Sequence, residues 1–423
     1  MEVPRIDLVI FGATGLTGKN AVIQLAKVAK KYDVGTWGIA GRSQNKLEAL
    51  KDEVSQKTGE DLSDVKVIVA DIGDEASLRQ MCAQTKLLVN CCGPYRLYGE
   101  PVVKAAVDSK CHYIDVTGEP QFMELMQIRY DERAREAGVF VISACGWDSI
   151  PADMGVIFVK QNFKGTLNSV ESYLSGYLPP LIAEESKERG VIGFGTYESI
   201  IYGMADQSEL PKLKKTLFPE PLPKLKPEVK VKNFQKRDGE WYLPFPGGDE
   251  SVVYRTQRYL HQHYQERPVQ FQAYFKAGTF GRSLQTICNG VVTYTMAQSE
   301  CTRKRLLDNP KHWSSGYVTK EGPTENVMNN TYFTFELVGK GWEQGANIEK
   351  TQPNKTVVAK VTGSNPAYGS AVVALIMSAV TLLKERRNMP ENGGVITPGS
   401  AFQNTSLIER LNEHKLKFQI VSS

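Results

Sequence analysis

The stretch Ile6–Gly18, IDLVIFGATGLTG, decides the fold. Ile6, Leu8, Val9, Ile10 and Phe11 make an apolar run of the length of a buried parallel strand. Gly12, Gly15 and Gly18 follow, and from Lys19 to Lys30 the residues Val22, Leu25, Ala26 and Ala29 fall on one helical stripe. A glycine turn between strand and helix bares the helix N-terminus, whose unpaired N–H groups and partial positive charge suit a pyrophosphate. Such a turn alone is a weak signal. Here the strand and helix it needs flank it, so Gly12, Thr14, Gly15, Leu16 and Gly18 are candidate dinucleotide contacts.

Working outward, Thr36–Ala40 is a second strand ending in Gly41-Arg42-Ser43. An acidic residue there would hold the ribose 2′-hydroxyl of NAD; Arg42 with Ser43 suits a 2′-phosphate instead. NADP is the expected cofactor and NAD the alternative. Val65–Ala70 makes a third strand ending at Asp71, whose carboxylate can reach an adenine amino group or serve as a helix cap. Leu87–Asn90 is a fourth strand. Ligands of a doubly wound sheet lie beyond the carboxyl ends of its strands, so Asn90, Gly93 and Pro94 fall where a nicotinamide ribose would pass. His112–Val116 and Val139–Ser143 complete six strands alternating with helices, a Rossmann-type doubly wound parallel sheet.

The pattern then changes. Val170–Tyr177, Val269–Ala277, Tyr332–Gly339 and Thr356–Thr362 alternate with period two, as in a mostly antiparallel sheet with one buried face. Lys212–Arg237, with nine basic residues and four prolines, reads as a solvated excursion. Ser283–Ser299 carries no charge and reads as a buried helix, as does the apolar Tyr368–Leu383. Gly393–Gly399 is a turn-rich loop, and the terminal strand Leu416–Val421 is expected at the edge of the first sheet. The expected organisation is α/β: a dinucleotide-binding domain over 1–155, an inserted α+β substrate and dimerisation domain over 156–364, and a C-terminal return over 365–423.

Composition narrows the class. A net charge of +4 over 423 residues gives no reason to expect nucleic acid as a partner. Seven cysteines without C-x-x-C spacing or a histidine cluster point to reduced core thiols in a cytoplasmic protein, with no metal site. The first strand begins within about six residues, which leaves no expected signal peptide. No window reaches the roughly 18 unbroken apolar residues of a membrane span.

The runs VIFGATGLTG, IAGRSQNKLE, LLVNCCGPYRLYGEPVV, YIDVTGEPQFMELM, CGWDSIPADMGV, YESIIYGMADQSEL, SVVYRTQRYL and GGVITPGSAF carry a resemblance to the saccharopine dehydrogenase-like oxidoreductases over nearly the whole length. The resemblance implies an NAD(P)-binding fold with an inserted α+β domain, a homodimer, and a link to lipid droplets or lipid metabolism. Bacterial relatives of this family are trans-acting enoyl reductases of complex-lipid synthesis, so it implies an enoyl or carbonyl substrate of lipid type. The other reading is a catalytically weak nucleotide-binding scaffold on lipid surfaces. One region departs from the family. Animal relatives are strongly apolar around 278–300, where this chain reads TFGRSLQTICNGVVTYTMAQ, and this polarity weakens the expectation of droplet docking there.

The resemblance puts Gly93–Tyr98 and Gly146–Asp153 around the reacting centre. Hydride transfer needs a proton donor at the reduced atom. Tyr95 and Tyr98 are candidate donors, and Asp148 and Asp153 candidate groups to polarise the substrate. Each has a structural alternative: the tyrosines could pack against a ribose, and Asp148 or Ser149 could cap the helix that Pro151 begins.

Overall fold

The computed structural model describes residues 4–147 and 149–422. Strands and helices alternate from the start: β1 (Ile6–Phe11), α1 (Leu16–Val28), β2 (Trp37–Gly41), α2 (Gln44–Thr58), β3 (Lys66–Val69), α3 (Glu75–Ala83), β4 (Thr85–Asn90), α4 (Tyr95–Asp108), β5 (His112–Asp115), α5 (Pro120–Ala137), β6 (Phe140–Ile142) and α6 (Ser149–Asn162). Next come β7 (Gly165–Tyr177), α7 (Pro180–Arg189), α8 (Phe194–Ala205), α9 (Leu210–Leu217), β8 (Gln235–Arg237), β9 (Glu240–Pro244), α10 (Asp249–Tyr264), β10 (Gln270–Gly278), α11 (Phe280–Ala297), α12 (Glu300–Asp308), α13 (Pro310–Trp313), α14 (Glu325–Asn329), β11 (Tyr332–Glu343) and β12 (Lys355–Ser364). The chain closes with α15 (Ala371–Lys384), β13 (Gly394–Ile396), α16 (Pro398–Phe402), α17 (Leu407–Glu413) and β14 (Lys417–Ser422). Contacts divide it into two units: one of residues 1–117, 122–147 and 368–410, the other of 118–121, 148–367 and 411–423.

The first unit holds a parallel sheet in the order β13-β6-β5-β4-β1-β2-β3. The switch in strand order lies between β1 and β4, with Phe11 beside Asn90. The central strands are apolar on both faces because helices cover both. α15 packs beside α1 over β4 and β5. Its Leu375, Ile376 and Leu382 are buried, and burial of each such side chain contributes roughly 1.5–3 kcal/mol. The segment Pro366–Lys384 is long and apolar enough to cross a membrane, with a mean hydropathy of 1.8, but 72% of it is buried within the protein.

The second unit holds the order β14-β12-β11-β7-β10-β9-β8. Only β7 and β10 pair in parallel; the other neighbours are antiparallel. Phe333, Phe335, Leu337, Val357, Ala359 and Val361 point to the covered face. There α6 approaches closely: a Cβ on Gly339 would lie 2.6 Å from Val159, and one on Gly155 2.8 Å from Leu337. The opposite face is half-exposed over β11 and β12, through Thr334, Glu336, Val338, Val358, Lys360 and Thr362.

Five expectations are corrected. The terminal strand β14 pairs with β12 in the second sheet, not with the first. Its single buried Phe418 between exposed Lys417 and Gln419 suits a sheet open on one face. The edge of the first sheet goes to β13, within the predicted loop, where Gly394–Ile396 is buried and parallel to β6. The helix α11, charged only at Arg282, is mostly exposed; only Ser283 and Ala297 are buried, because α8, α12 and the paired strands β9 and β10 cover one side of it. Lack of charge was not lack of polarity: Gln285, Thr286, Asn289 and Thr295 interrupt it, and both threonines bond back to the helix. The basic excursion begins as α9 and continues as a strap pinned to the second sheet. Pro227 O accepts from Asn168 Nδ2 at 3.1 Å and Gln270 Nε2 at 2.9 Å, and Val229 N donates to Gln270 Oε1 at 2.8 Å. Its lysines stay exposed. The cysteines are all free thiols, but Cys288 and Cys301 are exposed rather than in a core.

Glu385 joins the C-terminal helices of the first unit. Its carboxylate follows α15 and accepts from the Ser406 N–H at 3.0 Å, the Ser406 hydroxyl, Arg410 and Asn388 Nδ2. Burial works against the charge, but the bonds from Ser406 and Arg410 outweigh it and take the carboxyl from 4.5 down to about 2. A depressed carboxyl stabilises the fold above its unfolded value and loses that effect as pH falls through the folded one. Glu385→Gln should therefore lower the melting temperature at pH 7 by several degrees. Thermal melts across pH should show the gap to wild type closing between 4.5 and about 2; a gap constant with pH would contradict this role.

Candidate functional site

The glycine turn of the first unit is built by close approach. Gly12 has φ +78°, and a Cβ there would lie 2.5 Å from Cys92 Sγ. A Cβ on Gly18 would lie 2.1 Å from the Gly12 carbonyl oxygen, so no side chain fits. Gly15 is the N-cap of α1 and supplies no capping side chain. Thr14, Gly15 and Leu16 are exposed. First-turn N–H groups of a helix have no intrahelical acceptor, so α1 presents bare donors and the positive end of its dipole at an open surface. A dinucleotide pyrophosphate fits this cradle.

Arg42 leaves the end of β2 with an exposed side chain. Ser43 is the N-cap of α2, accepting from Lys46 N at 3.5 Å. Asp71 accepts from Gly73 N at 2.9 Å, holding its own turn, while Asp74 takes the cap of α3. Burial pushes the Cys92 thiol up to about 12, with the Arg42 guanidinium lowering it and the Asp71 carboxylate raising it. Cys92 therefore lies within electrostatic reach of both, against Gly12. The loop after β4 thus meets the turn after β1 and the ends of β2 and β3.

The ends of β4, β5 and β6 carry a second polar group. Asn90 is buried and donates from Nδ2 to Tyr113 OH at 3.0 Å, while its Oδ1 accepts from Cys92 N at 3.0 Å. Tyr95, 6% exposed, donates its hydroxyl to the Asn90 carbonyl at 2.9 Å. Burial, with Asp115 and Cys91 beside it, holds that phenol well above its ordinary range. Tyr98, three residues further along α4, is 42% exposed. Gly93 and Pro94 join β4 to α4, with Pro94 as the N-cap.

Most predicted site residues share the first unit: Gly12, Thr14, Gly15, Leu16, Gly18, Arg42, Ser43, Asp71, Asn90, Gly93, Pro94, Tyr95 and Tyr98. Asp153 belongs to the second, buried on α6 with Oδ2 accepting from Thr256 Oγ1 at 2.8 Å. Asp148 lies outside the described residues. Sequence reasoning did not single out Tyr113, Asp115 or Ser143. The available signal was a polar residue ending an apolar strand at Asp115, the same pattern that drew notice to Asn90.

These features define a nucleotide-binding Rossmann unit joined to a second α/β unit, and comparison with known proteins is consistent with that class. Residues 8–142 match the family model of the saccharopine dehydrogenase NADP binding domain. The mouse saccharopine dehydrogenase-like oxidoreductase is 38% identical, covering 98% of this chain and 97% of its own length. The lipid droplet localized protein of Caenorhabditis elegans is 34% identical, with 99% of both chains covered. A Mycobacterium tuberculosis protein named provisionally as a trans-acting enoyl reductase is 24% identical over 96% of each. Among solved structures, the saccharopine dehydrogenase (L-Glu forming) of Saccharomyces cerevisiae shares the fold, with a TM-score of 0.52 and 14% identity over 99% of this chain and 100% of that one. The chain belongs to the saccharopine dehydrogenase-like oxidoreductase family. Its cofactor is NADP.

A side chain on Gly15 would project into the cradle assigned to the pyrophosphate, an assignment that a substitution tests. Its Cβ would meet only the Gly12 carbonyl oxygen, at 3.3 Å. Gly15→Glu should leave the melting temperature close to that of wild type and abolish NADPH binding by calorimetry. Retained binding would refute the assignment of this turn.

Proposed function

We propose that this protein is an NADP-dependent reductase of an enoyl or carbonyl group on a lipid-type substrate. The observation that carries the cofactor half is the open N-terminus of α1 beside an exposed Arg42, with no carboxylate ending β2. The substrate half is supported by the printed names of the mycobacterial and nematode relatives. NADPH, when bound, supplies the hydride. Of the three described candidate side chains, Tyr98 is the exposed one, at 42%, and serves as the proton donor. Tyr95 and Asp153 are buried and hydrogen-bonded, which suits them to positioning. The working form on this reading is a homodimer, and the half-exposed face of the second sheet over β11 and β12 offers a surface for it.

A guanidinium paired with a 2′-phosphate forms charge-assisted hydrogen bonds that NADH cannot match. Calorimetric titration should give NADPH binding much tighter than NADH. Arg42→Gln should weaken NADPH by about tenfold or more while leaving NADH unchanged. Equal loss for both nucleotides would remove Arg42 from the 2′-phosphate site.

A second reading has its own observation. From Ser283 to Ser299 the chain has no charged residue, and α11 exposes Phe280 at 57%, Leu284, Val291 at 61%, Val292 and Tyr294. An exposed helix of this kind, whose one charge is Arg282 in its first turn, suits peripheral contact with a lipid droplet or membrane surface. Flotation with phosphatidylcholine vesicles should recover wild type and lose the double variant Val291→Asp, Val292→Asp. Equal recovery of the two would discard this surface as the contact.

A further inference from the structure

One buried carboxylate ties together the ends of three adjacent strands in the first unit. Asp115, the last residue of β5, is fully buried. Its Oδ1 accepts from Thr117 N at 3.0 Å and Ala144 N at 3.1 Å. Its Oδ2 accepts from Tyr113 OH at 2.9 Å and Ser143 Oγ at 3.0 Å. Through Ala144, which has φ +63°, it holds the turn after β6. Through Tyr113 it reaches Asn90, and through Asn90 both the Cys92 N–H and the Tyr95 hydroxyl that fix the loop after β4. Only an anionic carboxylate accepts four such donors while bringing none of its own.

We propose that Asp115 is a positioning residue for the nicotinamide half of the cofactor, acting through Tyr113 and Asn90 on the Cys91–Tyr95 segment. The inference rests on the NADP assignment and on the position of this segment. In a doubly wound sheet the cofactor lies across the carboxyl ends of the strands, one half to each side of the switch point. Here Gly12, Arg42 and Asp71 lie on the β1–β3 side, and the Asp115 network lies on the β4–β6 side. Burying a carboxylate among neutral donors costs stability that an apolar residue would not. A strand end with no task beyond packing has no need of it.

Among the described residues, the titratable groups facing Asp115 are Tyr113 on its own strand and Cys91 and Tyr95 from the β4–α4 segment. Burial raises all three, so they stay protonated at neutral pH. β6 contributes the Ser143 hydroxyl and the Ala144 N–H. Burial raises Asp115 itself to about 6, against the pull of its bonds from Thr117, Tyr113, Ala144 and Ser143. The carboxylate is present above that pH. Below it, a bound proton takes one acceptor position from the network.

The test compares NADPH with adenosine 2′,5′-bisphosphate, which carries the adenosine half and no nicotinamide. Asp115→Asn should weaken NADPH by about tenfold and leave the bisphosphate unchanged. It should also remove the change in nicotinamide fluorescence on binding. Tyr113→Phe keeps the ring and should follow with a smaller loss, carrying the test should Asp115→Asn fail to fold. In wild type, the advantage of NADPH over the bisphosphate should fall as pH drops through about 6, and in Asp115→Asn it should not vary. Equal weakening of both ligands, or of neither, overturns the inference while the NADP site stands. Failure of wild type to bind either ligand overturns the cofactor assignment and this inference together.

Discussion

The approach of Gly18 to the Gly12 carbonyl is the constraint on which the nucleotide unit depends. With 2.1 Å available to a Cβ, no residue but glycine lets α1 begin directly over the end of β1. That start leaves the unpaired N–H groups of the helix at an open surface, where the proposed ligand would meet them. Cys92 closes the other side of the turn, against Gly12. The exit of β4 is therefore seated on the exit of β1, and the two strands meet at the switch point with Phe11 beside Asn90. Packing of the turn and placement of the cofactor are one requirement.

A different interaction organises the other half of the sheet. Across β4, β5 and β6, order comes from polar side chains at the strand ends rather than from glycine. Asn90, Tyr113, Asp115 and Ser143 satisfy one another in a site without water access. A satisfied polar network of this kind specifies one loop arrangement, whereas apolar packing tolerates several. The two halves of the strand-end surface thus use opposite means: bare backbone donors on the side proposed for the phosphates, and saturated side-chain bonds on the side proposed to orient the nicotinamide.

Much of this was legible in the sequence, and the rest was not for definable reasons. The glycine turn, the β1–β6 alternation and Arg42 are local patterns a few residues long, so they could be read directly. The Asp115 network joins its near neighbours Tyr113 and Thr117 to residues that stand 23 to 29 positions from their partners, and no local pattern marks those distant bonds. β13 is three residues long, begins at Gly394 directly after Gly393 and runs into Thr397-Pro398-Gly399, so it carried the composition of a turn. β14 was read as a strand, but its one-sided pattern belongs to the sheet that is open on one face. Whether Asp148 belongs with the site lies outside the described residues.

The two charge-poor helices show how far composition alone reaches. Each carries one charge near an end, Lys384 in α15 and Arg282 in α11, yet α15 is buried and α11 exposed. In α15 the polar residues are few: Thr381, whose hydroxyl donates to Met377 O at 2.7 Å, and Ser378, both buried. Such a helix loses little by entering a core, and its apolar circumference gains from every side. In α11 the amides Gln285 and Asn289, with Gln298 at its C-cap, would each need a buried partner, a cost of about 1–3 kcal/mol apiece when unmet. One side of α11 therefore packs through Ser283 and Ala297 while the other meets solvent. The same residues that keep α11 out of a core leave its exposed surface with Arg282 as its one charge, and on the proposed lipid reading that combination permits contact with an acyl surface without committing the helix to insertion.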